Sequence, residues 1–157
     1  MIILNHLYLN TEIEPLSRYG ISYTAGLFDG DGSISIFVYH GAKHPHHYLN
    51  VCLGSTFQPI AFWLKNYFGG SVWCQKRKLP EHPLYYWRAY AGVAENFLQR
   101  ILPRLWLKKS CTKLALQFRK EKQRNKRRSD RPQWITPVML SRREQFRQQM
   151  HALNRGP

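Results

Sequence analysis

The chain has 157 residues, 43% of them hydrophobic and 21% charged, which is enough for one folded core and excludes a chain disordered throughout. Lys and Arg number 24 against 9 acids, a formal charge of +15 that points to a polyanionic partner, nucleic acid ahead of an anionic membrane surface. No run of 18 apolar residues offers a membrane span, and Cys52, Cys74 and Cys111, odd in number and without a CxxC pair, are a poor disulfide framework and suit a reducing compartment.

Residues 1–18 read as an N-terminal arm with neither a basic leader nor an Arg-rich transit pattern. Ser22 to Asp31 is expected to be a short helix, capped by Ser22 and broken at Gly30 and Gly32. Ser33 to Tyr39 then alternates strictly, placing Ile34, Ile36 and Val38 on one face and Ser33, Ser35, Phe37 and Tyr39 on the other. A loop holding His40, His44, His46 and His47 leads to a second alternating strand, Tyr48 to Thr56. The histidines lack a partner Cys pair, so zinc is the lesser reading beside a loop near DNA or simple solvation.

Pro59, then Ile60, Trp63, Leu64, Tyr67 and Phe68 at helical spacing, and Gly69-Gly70 as a stop define the clearest helix. Ser71 to Arg77 and Leu84 to Ala91 are expected strands around a Pro80 to Pro83 turn, the phase of the second left open. Helices follow over Val93 to Leu102 and Cys111 to Phe118, and a last one after Thr136-Pro137 carries Met139, Phe146, Met150 and Leu153 on one stripe. Between them Arg119 to Arg131 holds eight basic residues, read as a solvated connection or, equally, a phosphate contact.

The informative segment is Thr24-Ala25-Gly26-Leu27-Phe28-Asp29-Gly30-Asp31-Gly32. Gly26 and Gly30 lie one helical turn apart, so a second helix can approach backbone to backbone, with Asp31 at the helix end in the crevice between them. The same glycines would also permit a tight crossing within a monomer. These nine residues, continued by Ser33-Ile34, resemble the motif of the LAGLIDADG homing endonucleases. The helix-β-β-α-β-β-α-α order and Ile101 to Lys109 resemble the rest of that domain, so the likeness covers roughly residues 19–118.

The resemblance implies an α+β fold of αββαββα type, with a four-stranded antiparallel saddle-shaped sheet and, here, an extra C-terminal helix. Residues 19–118 would be the endonuclease core, and 119–157 a basic connection and helix of the same domain. One motif copy resembles the homodimeric branch, with Ala25, Gly26, Asp29 and Gly30 at the interface, and implies a long, roughly palindromic double-stranded DNA target cut with staggered ends. It also implies Mg²⁺ held by Asp31 of each subunit, with the Gly30 carbonyl assisting and Asp29 packing or capping. Lys108, or Lys109 if the alignment slips by one, stands where a basic residue polarises solvent or phosphate. Gln58 is the candidate for ordering water, because Phe57 falls where a polar residue is expected.

For the sheet's reading of base edges the candidates are Ser35, Phe37, Tyr39, Tyr48, Asn50, Trp73, Gln75, Arg77 and Arg88, with Lys43 on phosphates. The family also contains intron-RNA maturases, so a splicing role, or DNA binding without cleavage, are the alternatives. A mobile-intron origin is expected, in a bacterial cytoplasm or in a chloroplast or mitochondrion whose own genome needs no targeting peptide.

Overall fold

Alternation and helical periodicity resolve into five helices and four strands, in a computed structural model that describes residues 18–41, 45–78, 81–128 and 135–155. Lys43, His44 and the arm up to residue 17 lie outside the described residues. The order is α1 (Arg18–Asp31), β1 (Gly32–Tyr39), β2 (His46–Ser55), α2 (Gln58–Phe68), β3 (Ser71–Gln75), β4 (Leu84–Tyr90), α3 (Ala91–Ile101), α4 (Lys109–Arg128) and α5 (Pro137–Arg155), with a 3-10 turn at Leu102–Arg104.

The strands form one antiparallel sheet in the order β1-β2-β4-β3. Gly32 pairs with Leu53, Asn50 with Tyr90 and Trp73 with Tyr86. Because side chains alternate, this register sends Ile34, Ile36, Leu49, Val51, Leu53, Trp87 and Ala89 to one face, where they are buried beneath the helices. The open phase of β4 is thereby settled: Trp87 and Ala89 point inward, and Tyr86, Arg88 and Tyr90 share the other face with Ser35 and Tyr48.

Phe97 of α3 is the hub of the core, its ring 4.7 Å from Trp87, 4.9 Å from Phe68 and 5.1 Å from Phe28. Such edge and tilted contacts add to the area they bury. The buried Trp87 indole donates to the Gly69 carbonyl at 2.8 Å, so its one polar atom is satisfied. Gly70 beside it has φ +92°, and a Cβ there would lie 2.4 Å from the Arg88 carbonyl, which excludes any other residue.

Three local expectations change. α1 begins at Arg18, so Ser22 lies inside the helix, where its hydroxyl meets Arg104 Nε at 3.1 Å. β3 stops at Gln75, which leaves Arg77 in the turn, paired with Glu81 at 3.5 Å. The basic run does not open a connection at Arg119: α4 continues to Arg128 because Arg119 and Gln123 grip Glu95 of α3 at 3.1 and 2.7 Å, and Lys122 donates to the His47 carbonyl at 2.6 Å. In α5, Thr136 caps the helix by accepting from the Met139 N–H at 3.3 Å and Met150 is buried, whereas Leu153 is exposed.

Candidate functional site

α1 buries Ile21, Thr24, Ala25 and Phe28 and turns Tyr23, Gly26 and Gly30 outward. The expectation that Ala25 meets a partner is therefore corrected, since its methyl is fully enclosed by the chain's own core. Gly26 and Gly30 are different: a Cβ added at either would meet no atom within 4 Å. Nothing among the described residues calls for glycine there, although glycine in a helix costs about 0.5–1 kcal/mol relative to alanine. The end of α1 is the opposite case. It passes into β1 without a loop, and a Cβ at Gly32 would lie 2.5 Å from the Phe28 carbonyl.

Three residues converge on that helix end. The half-buried Asp29 carboxylate accepts the backbone N–H of Trp106 at 2.7 Å and of Lys108 at 2.9 Å, clamping the segment between the 3-10 turn and α4. The Lys108 ammonium reaches back to the Asp29 carbonyl and, at 3.4 Å, to the Gly30 carbonyl. A cation belongs at this place, because the last carbonyls of a helix lack intrahelical donors and carry the negative end of its dipole. Asp31, by contrast, is exposed, and its carboxylate has no partner among the described residues. A carboxylate at the negative helix end is disfavoured by about 0.3–1 kcal/mol, a cost the fold of one chain does not recover.

The clamp has a second consequence that sequence reading missed. With its backbone tied to Asp29, the segment throws Trp106 and Leu107 into solvent, 88% and 79% exposed. On α1 itself Tyr23, 59% exposed, shares the outward face with the open glycines, its ring edge-on to Trp63 of α2 at 6.3 Å. The signal was present as an apolar pair between Leu105 and Lys108, but only the clamp decides which way it faces.

Gln58 is exposed at the first turn of α2, after Phe57, which precedes the helix without a side-chain cap and is 60% exposed. The pairing of Gly32 with Leu53 puts the end of β2, and hence the start of α2, at the Asp31 end of the sheet.

On the open sheet face, Ser35, Phe37 and Tyr39 of β1, Tyr48 of β2, Trp73 and Gln75 of β3 and Arg88 of β4 stand as expected. Asn50 is corrected: it belongs to this face by register but is only 6% exposed, too deep to read a base edge. Tyr86 and Tyr90 join the face once the phase is known. Of the histidines, His46 approaches the Lys122 ammonium at 3.2 Å and His47 the Glu144 carboxylate at 3.2 Å. Burial holds both imidazoles below their ordinary range, and no group of three metal-ligating side chains occurs among the described residues. Nor is any described helix long and apolar enough to cross a membrane.

No protein-family model and no curated protein matches the sequence. Solved structures do. The homing endonuclease I-CvuI, in complex with the I-CreI target in the presence of Mg, aligns with a TM-score of 0.70 at 20% identity, over 88% of this chain and 84% of that one. The archaeal intron-encoded homing endonuclease I-Vdi141I, complexed with DNA, aligns with a TM-score of 0.68 at 12% identity, over 86% and 84%. The LAGLIDADG homing endonuclease I-GzeII, in complex with its DNA target, aligns with a TM-score of 0.60 at 14% identity, over 81% of this chain and 43% of that one.

Proposed function

We propose that this chain, which has the fold of the LAGLIDADG homing endonucleases and a segment resembling their motif at residues 24–32, is a site-specific DNA endonuclease acting as a homodimer. The observation that carries the reading is the pairing of two open glycines with an unpartnered carboxylate on one helix. Both features are costly in one chain, and both become useful when a second α1 packs against the first. Tyr23, Trp106 and Leu107 then leave water, and two Asp31 carboxylates meet on the twofold axis. This chain aligns with 43% of the length of I-GzeII, against 84% of I-CvuI and of I-Vdi141I.

The donors suit a hard divalent cation such as Mg²⁺, which takes one or two protein carboxylates and completes its shell with water and phosphate oxygens. Asp31 of each copy would hold it. The Gly30 carbonyl already faces the Lys108 ammonium and is the weaker ligand. Bound there, the cation supplies the acidification of water and the charge stabilisation that phosphodiester hydrolysis needs. Lys108, pinned by two carbonyls and by its own backbone N–H on Asp29, presents a fixed positive charge beside the scissile phosphate. Gln58, at the same end of the sheet, offers an amide to orient water. The open sheet face lies along the major groove on either side, so a twofold protein reads a roughly palindromic duplex.

A cleavage-deficient DNA-binding protein of the same fold is the second reading, favoured by the exposed Phe57 ring beside Gln58. Incubating the protein with Mg²⁺ and a library of randomised duplexes, then sequencing cut ends, separates the two. Staggered cuts at one site by wild type, and none by Asp31→Asn with binding retained, support the nuclease. Binding without cuts supports the second reading, and preference for structured intron RNA over every duplex overturns both.

A further inference from the structure

The open face lacks what a base-reading sheet usually offers. Discrimination in the major groove ordinarily comes from Arg, Asn and Gln forming paired hydrogen bonds to base edges. Here each is drawn toward the protein: the Arg88 guanidinium lies over the rings of Trp73 and Tyr86 at 5.4 and 5.5 Å, Asn50 is buried, and one atom of Gln75, Oε1, accepts from the Tyr86 hydroxyl at 3.4 Å. No acidic residue occupies the face. Its largest projecting groups are aromatic, and two clusters of them stand out.

Trp73 and Tyr86 stack with centroids 5.5 Å apart and planes 21° from parallel, and the Tyr86 ring fits only because its neighbour is Gly54, where a Cβ would lie 2.9 Å from that ring. Tyr48 holds Phe37 and Tyr90 on either side, each 5.9 Å away. The one apolar group in the major groove is the thymine 5-methyl, and apolar side chains discriminate by contact with it.

We propose that these two patches select thymine, reading its 5-methyl group at two places in each half-site. The inference rests on the reading above, in which this face meets duplex DNA. Tyr86 and Tyr90 are four residues apart on β4, a separation of about 13 Å at strand rise. With strands following the groove, that spans roughly four base pairs at about 3.4 Å each. Tyr86 opposes Gly54, next to the Leu53–Gly32 pair, so the Trp73–Tyr86 patch is nearer Asp31 and reads the inner thymines. The Phe37–Tyr48–Tyr90 patch reads the outer ones.

The test is selection of bound duplexes from a randomised library by the full-length protein, with Ca²⁺ in place of Mg²⁺, followed by replacement of each thymine with uracil. The DNA is altered rather than the protein, so folding does not enter. Selected half-sites are expected to carry two thymine clusters about four base pairs apart, and uracil to weaken binding about fourfold per methyl removed, from the burial value of one such group. Trp73→Ala is expected to erase the uracil penalty at the inner cluster alone, and Tyr90→Ala at the outer alone. A selected site indifferent to uracil overturns the proposal and leaves the nuclease reading standing, as does tighter capture of single-stranded pyrimidine runs through stacking beside an intact duplex site. Failure to select any duplex overturns both.

Discussion

Asp29 and Lys108 are joined twice in opposite senses: the carboxylate of Asp29 accepts the backbone N–H of Lys108 at 2.9 Å, while the ammonium of Lys108 donates to the backbone carbonyl of Asp29. The end of α1 thus positions the segment before α4, and that segment caps α1 in return. Asp29→Ala leaves the N–H groups of Trp106 and Lys108 without their charged acceptor, a loss of about 1.5–3 kcal/mol for hydrogen bonds of this kind. Denaturant unfolding measures it. Lys108→Met is expected to lower kcat for cleavage at least 100-fold with little change in DNA affinity, and Lys108→Arg to recover part of it.

Gly26 separates the needs of the chain from those of the dimer. Since its helix has open space on that side, Gly26→Ala is expected to stabilise the protomer by about 0.5–1 kcal/mol. Gly26→Leu is expected to fold yet sediment as a monomer and lose cleavage. A dimer of undiminished affinity in Gly26→Leu would contradict the proposed interface.

Lys122 makes stability depend on pH in an unusual direction. Burial, reinforced by the charges of Arg143 and Arg119, lowers its ammonium from 10.5 to about 8. Between these values the unfolded chain holds a proton that the folded chain has released, so folding gains stability as pH rises from about 8 to 10.5. Unfolding midpoints followed across that window are expected to rise less, or fall more, in Lys122→Met than in wild type.

Glu144 acts at the acid end. Its hydrogen bonds from Arg147, and that with His47, hold its carboxyl at about 2, down from 4.5, so the stability it contributes is complete above pH 4.5 and drains away as pH falls toward 2. Glu144→Gln is expected to flatten the acid limb of the unfolding profile.

Ala91 has φ +48°, in the left-handed region, at the direct passage from β4 into α3. A side chain there costs about 1–2 kcal/mol, partly offset by the greater freedom glycine has when unfolded. Ala91→Gly is expected to raise stability by about 0.5–1 kcal/mol, read as an increase in the urea midpoint at constant slope.

Much of this protein is written in local pattern. Strict alternation in residues 33–39 and helical spacing in residues 59–68 place those elements because side-chain direction repeats every 2 or 3.6 residues whatever the partner. The glycine-lined helix ending at Asp31 was legible for the same reason, whereas Lys108 was singled out only by its place in a resembling segment, and the fold is what brings it to the end of that helix. Tertiary structure decided what depends on register and contact between distant residues. It buried Ala25 and Asn50, turned Tyr86 and Tyr90 onto the open face, carried α4 to Arg128 through the grip on Glu95, and threw Trp106 outward by tying its N–H to Asp29. Those outcomes depend on pairs far apart in the chain, from Ser35 with Asn50 to Asp29 with Trp106, and periodicity along a chain holds no information about which distant group will satisfy a given donor or cover a given side chain.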